Sequence, residues 1–146
     1  MSFILDREAI DAISNNIEEV LGVIKEISDM SPEMIMSHKE ILAAFKYCFI
    51  AIIQAILTFS NYIIVKKNLG IPKDYRESLT TLIDAGILSS DFEGIVGELV
   101  AIRESLLYRG VSITITDIKN ISEKTNTIIS IYREILGTVK NICGGK

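Results

Sequence analysis

Tyr47 to Val65 reads YCFIAIIQAILTFSNYIIV, nineteen residues without a charge. A run of that length and apolarity fits either a bilayer-spanning helix or a helix enclosed at the centre of a bundle. Gln54, Thr58 and Asn61 fall at i, i+4 and i+7, which aligns them as one polar stripe on a helix. Lys46 at one end and the Lys66-Lys67 pair at the other bracket the run, so charge asymmetry gives it no membrane orientation. No second apolar span is present to pair with it. The stretch is therefore expected to be the buried central helix of a bundle, with no membrane as partner.

Helix-spaced apolar residues continue on both sides. Ile10, Ile13, Ile17, Val20, Leu21, Ile24 and Ile27 predict a helix from about Asp6 to Ile27, with Asp6 as its N-cap. SDMSP, Ser28 to Pro32, breaks it. Ser37 with Glu40 has the capping-box pattern, so the central helix is expected to start there and run to about Lys67. Asn68-Leu69-Gly70 offers a left-handed stop, followed by Pro72. A short helix is expected over about Tyr75 to Ala85, built on Leu79, Leu82 and Ile83 and ended by Gly86. Ser90 with Glu93 repeats the capping-box pattern. It opens a fourth helix that carries Phe92, Ile95, Val96, Leu99, Ile102 and Leu106, with Gly110 after its last turn. VSITIT, Val111 to Thr116, is β-branched enough for a strand but has no partner strand. A fifth helix is expected from about Thr116 to Ile142. Short connections and the lack of repeats give one domain over residues 1–146, an all-α, antiparallel bundle of four long helices and one short helix.

The 146 residues are 49% hydrophobic and 23% charged, a globular balance sufficient for a substantial core. A net charge of −4 argues against an extensive basic surface for nucleic acid and leaves room only for a local basic patch. Cys48 and Cys143 have no metal or redox spacing and are expected to be reduced structural thiols. MSFILDREAI lacks the basic-then-apolar plan of a signal peptide, so a cytoplasmic location is expected. One histidine and two distant cysteines cannot assemble a transition-metal site of ordinary spacing. No Gly-rich phosphate loop, serine elbow or paired-carboxylate pattern is visible, and no cofactor is implied.

Two features remain: the polar stripe and LVAIRESLLYRGVSI, Leu99 to Ile113. Arg103 sits among Leu99, Ile102, Leu106 and Leu107, where a helix is expected to bury itself. A permanent charge there either pairs with an acidic neighbour, snorkels to the surface, or grips a phosphate at the helix edge.

The run from about Phe45 to Val111 resembles the HEPN superfamily, specifically its HepT-like toxin branch. NLGIPKDYRESLTTLIDAGIL, Asn68 to Leu88, is similar to that branch's GLG-P-x-x-Y connection and its Gly-terminated short helix. Where the branch carries R-x4-H-x-Y, this chain keeps Arg103, places Tyr108 at the histidine position and Gly110 at the tyrosine position. The resemblance implies a HEPN-like helical bundle and a metal-independent ribonuclease acting on RNA. It also implies a homodimer whose two motifs line a shared cleft. The implied partner is a minimal nucleotidyltransferase antitoxin able to add nucleotides to the motif tyrosine.

The missing histidine limits that implication. A phenol of ordinary pKa, about 10, is ionised in roughly one molecule in a thousand at pH 7, whereas imidazole titrates near neutrality. General acid–base assistance contributes roughly 10²–10⁴-fold, so this replacement alone could silence the reaction. His38 does not substitute, because about sixteen helical residues separate it from Gln54, roughly 24 Å along the axis. Members similar to this chain often carry acidic residues on the cleft face of the second helix, where Gln54, Thr58 and Asn61 are neutral. The chain resembles a degenerate member, with Arg103 and Tyr108 as catalytic candidates and Arg109, Gln54, Thr58 and Asn61 as binding candidates. Two functions stay open. One is a non-catalytic dimeric module that binds a nucleotidyltransferase, RNA or a nucleotide. The other is an active ribonuclease toxin that uses Arg103 with Tyr108 or Arg109 in place of histidine. The stripe is similarly open between amides satisfied by neighbouring helices and a ligand-binding surface.

Overall fold

A computed structural model of the chain describes residues 5–108 and 112–144. Seven α-helices form among them, with no strand: α1 (Arg7–Ser28), α2 (Pro32–Ser37), α3 (Lys39–Lys66), α4 (Tyr75–Asp84), α5 (Val96–Tyr108), α6 (Ile115–Ser122) and α7 (Thr125–Gly144). A 3-10 turn at Ser90–Phe92 precedes α5. The expected all-α bundle is what forms.

The uncharged stretch is the inside of α3. Phe45, Phe49, Ile52, Ile53, Ile56, Leu57, Phe59 and Ile63 are all buried, on an arc of nearly half the helix circumference. α1 and α7 pack along it, and α2, α4 and α5 cover further parts of its surface. By length and composition α3 could cross a membrane, and its enclosure by five helices accounts for the same apolarity within the bundle. Phe59 stacks with Tyr132 at 6.3 Å between ring centroids. Further along, Tyr62 Oη lies 3.2 Å from Cys143 Sγ, so α3 and α7 run to the same end of the bundle.

The helix ends follow the local chemistry where single residues decide it. Asp6 caps α1 by accepting from the Ala9 amide at 2.8 Å. Asn68 adopts a φ of 57°, and the Leu69 amide donates back to the Ile64 carbonyl, which closes α3 with the expected left-handed turn. Gly86, at φ 76°, does the same for α4.

Three boundaries differ from expectation. The central helix does not begin at Ser37. Ser31 caps a separate short helix with Pro32 in its first turn, and the Ser37 hydroxyl donates to the Met34 carbonyl within that helix. His38, extended at φ −121°, then starts α3 without a side-chain cap. The Ser90–Glu93 capping box does not form either, because Ser90 lies inside the 3-10 turn, Ser89 caps that turn, and α5 starts after Gly94. The fifth helix is two helices. A capping box of Thr114 with Asp117 opens α6, and the chain breaks at Glu123-Lys124 before α7 begins. That break lets α6 turn its buried Ile118 and Ile121 toward α2 while α7 stays on α3. Gly110, the expected stop of the fourth helix, lies outside the described residues.

Tyr132 is fully buried, and its hydroxyl has no hydrogen-bond partner among the described residues. Burial, reinforced by the charge of Glu18 and partly offset by Arg133, pushes its pKa from 10 to about 12. Burial likewise lifts the Cys48 thiol from 9.0 to about 11. Both groups favour the protonated form in the folded chain. Their contribution is present in full below the ordinary values and is lost as pH rises through 9 to 11 for Cys48 and 10 to 12 for Tyr132. Tyr132→Phe removes a stranded hydroxyl, so it is expected to leave stability at pH 7 unchanged or raised by up to about 1 kcal/mol. It should also flatten the alkaline decline. Urea unfolding at neutral and alkaline pH measures both, and a loss of stability at pH 7 would mean that the hydroxyl has a partner.

Candidate functional site

α3, α4 and α5 converge on the polar stripe. Arg103, in the middle of α5, is half-buried and extends its side chain back to α3, where its Nε donates to Gln54 Oε1 at 2.8 Å. Gln54 Nε2 in turn donates to Thr58 Oγ1 at 3.2 Å, one turn further along the same helix. The guanidinium carbon stands 5.4 Å from the ring centroid of Tyr75, the first residue of α4. Among the described residues no carboxylate lies within ion-pair distance of Arg103. Its charge is therefore held by an amide and an aromatic face, without being neutralised.

Asn61 belongs to the same stripe but has a different partner. Its Oδ1 accepts from the buried Ser78 Oγ at 2.8 Å, which fastens the first turns of α4 to α3. The side chain of Arg76 lies across the backbone of Gly97, joining α4 to α5 as well. Asp74 caps α4 by accepting from the Glu77 amide at 2.8 Å, and the Glu77 carboxylate accepts from the Lys73 amide at 2.6 Å. These contacts set the register of α4 and so the position of Tyr75.

The candidates from sequence separate into three groups. Gln54, Thr58 and Arg103 form one connected cluster, and Asn61 lies one turn further along, engaged with Ser78. Tyr108 is the last residue of α5, 78% exposed, and five positions beyond Arg103 in an unbroken helix. An ideal helix turns about 140° over five residues, so Tyr108 points away from the guanidinium of its own chain. Arg109 lies outside the described residues. His38 sits exposed at the start of α3, its Nδ1 3.0 Å from the Met34 carbonyl, and takes no part in the cluster. Tyr75 is the residue that sequence reasoning left out of the site. The P-x-x-Y spacing contained it, but nothing local to that motif indicates which residue its ring will face.

The face of α3 and α5 around the cluster is apolar and partly open. Tyr47 and Leu107 are exposed, and Ile50, Ala51 and Val100 are half-buried on the same stripes. A groove of about 250 Å³ lies on the other side of α5, lined by Glu98, Ile102, Ser105, Asp117, Asn120 and Lys124 among others. Its main electrostatic feature is the Lys124–Glu98 ion pair at 3.5 Å, and it does not include Arg103. The Arg103 cluster, outside that groove, holds a guanidinium with no carboxylate partner among the described residues. Among the described residues no three His, Cys, Asp or Glu side chains gather as a metal-binding group.

Gln54→Leu removes the acceptor of Arg103 Nε at a site water can reach, and is expected to cost about 1 kcal/mol or less. Gln54→Glu exchanges that acceptor for a charged one and is expected to stabilise by a similar amount. Equal urea midpoints for wild type and both variants would show that the bond contributes nothing to the fold.

No curated protein matches the chain, nor does any solved structure. The family model for ribonuclease HepT-like proteins matches residues 17–125, a span from the middle of α1 to the first residue of α7 that contains all of α3, α4 and α5. With three quarters of its length inside that match, the chain belongs to the HepT-like family of HEPN ribonuclease-like proteins.

Proposed function

We propose that this chain is the toxin-family member of a toxin–antitoxin pair and acts as a homodimeric RNA-binding module with little or no ribonuclease activity. The observation that carries the reading is the state of Arg103. A half-buried guanidinium is held in place by Gln54 and Tyr75, keeps its charge, and has no imidazole near it. Such a group binds a phosphodiester well, because a charge-assisted contact to phosphate is roughly twice as strong as a neutral hydrogen bond. It does not by itself move a proton. The apolar surface flanking it, with Tyr47 and Leu107 exposed, suits a second copy that would set two Arg103 side chains across one cleft. The partner that family membership favours is a minimal nucleotidyltransferase, and the cell compartment it favours is the cytoplasm.

A second function rests on the exposed end of α5. Tyr108 is free to enter the cleft of a partner copy, where with Arg109 it could replace the motif histidine in an active ribonuclease.

The test is cleavage and binding of a structured RNA in EDTA by wild type, Arg103→Ala and Tyr108→His, with sedimentation equilibrium alongside. Expected results are a dimer, binding without robust wild-type cleavage, and a log–log salt slope reduced by about 1 in Arg103→Ala. Tyr108→His is expected to gain activity through a proton acceptor near pH 7. Robust wild-type cleavage abolished by Arg103→Ala would establish the active ribonuclease instead. A monomer at micromolar concentration would remove the shared cleft from both functions.

A further inference from the structure

Resting on the assignment of Arg103 to phosphate, we propose that Tyr75 is a positioning residue that fixes the plane of the Arg103 guanidinium and limits what it presents to one edge. A guanidinium has five N–H donors in a rigid plane. The Nε donor is committed to Gln54 Oε1 at 2.8 Å, which pins one edge but leaves rotation about that contact. The guanidinium carbon lies over the Tyr75 ring, 5.4 Å from its centroid, and this second contact is the one that would restrict the rotation. What is left uncommitted is the edge bearing Nη1 and Nη2, which make no hydrogen bond to a described residue. That edge carries the parallel N–H pair that matches two oxygens of one phosphate.

Tyr75 can do this because its own position is over-determined. It is the first residue of α4, directly after the N-cap Asp74, and it remains 37% exposed. Within its first turn α4 is tied to α3 through Ser78 and Asn61, and to α5 through Arg76 over Gly97. The ring therefore reports the docking of α4 to the arginine on α5. Its hydroxyl has no assigned role, and the face of the ring is the working part. Phenylalanine should replace it and an aliphatic residue should not.

The experiment combines arginine Nε–H NMR spectra with RNA binding for wild type, Tyr75→Phe, Tyr75→Leu, Arg103→Ala and the Tyr75→Leu/Arg103→Ala double variant. In wild type and Tyr75→Phe the Arg103 Nε–H should be ring-current-shifted and slow to exchange. In Tyr75→Leu the shift should vanish and exchange should quicken. RNA affinity should stay within two-fold for Tyr75→Phe and fall about two- to five-fold for Tyr75→Leu, the range of a partly exposed cation–π contact. In the Arg103→Ala background Tyr75→Leu should have no further effect, because Tyr75 acts through the arginine. Unchanged Nε–H spectra in Tyr75→Leu would overturn the positioning role, as would an equal loss of affinity in both backgrounds. If the wild type binds no RNA, the phosphate assignment fails, and the Nε–H spectra by themselves decide whether Tyr75 orders Arg103.

Discussion

Between Phe45 and Ile64, α3 carries apolar side chains in nearly every direction, so several helices must cover it at once. Fully burying one Ile, Leu or Phe side chain is worth roughly 1.5–3 kcal/mol, and each helix laid against α3 recovers a share of that. The kink between α6 and α7 and the separate α2 follow from the same demand, since each redirects a short apolar face toward a part of the core that a straight helix would miss. The polar stripe is the one line along α3 that cannot be closed with aliphatic side chains. Gln54 and Asn61 need partners there, and α5 and α4 supply them.

Arg103 answers to that need from the other direction. A guanidinium facing an apolar helix would be costly, but facing Gln54 and Tyr75 it gains an acceptor and an aromatic surface while part of it stays in water. The neutrality of the stripe matters here. Aspartate at position 54 or 58 would pair with the arginine and cancel its charge, whereas an amide orients it and leaves the charge available. Of the readings open in the sequence, the structure shows the amides satisfied by neighbours: Gln54 by Arg103 and Asn61 by Ser78.

Much of the fold was legible because it depends on periodicity and on single residues with strong backbone preferences. The i, i+3, i+4 rows gave α1, α3 and α4 to within a few residues, and Asp6, Asn68 and Gly86 end helices for reasons contained in their own side chains. The capping-box patterns at Ser37 and Ser90 misled because such a pattern is a statement about four residues, and their neighbours offered better starts. Ser31-Pro32-Glu33 has an N-cap, a proline suited to the first turn and an acid beside it, a helix start that a reading of SDMSP as a simple break overlooked. The site was half legible. Arg103 stood out as a charge in an apolar row and the stripe as amides in another. That Arg103 Nε meets Gln54, forty-nine positions away, is set by how α5 crosses α3, which no local pattern encodes. Tyr75 escaped for the same reason.

Helix geometry also constrains any catalytic role for position 108. The motif spacing of this family places its second residue five positions after the arginine, and a continuous α5 turns those two side chains about 140° apart. Moving from phenol to imidazole changes the proton chemistry at that position but not the direction in which it points. A group at position 108 therefore reaches a phosphate held by Arg103 only if a second copy brings its own α5 to the same cleft. A catalytic role for position 108 would in consequence be coupled to association, whereas the contacts of Arg103 with Gln54 and Tyr75 are formed within one chain. Loss of the motif histidine removes the group whose use requires two chains and leaves the arrangement of Arg103 between α3 and α4 untouched.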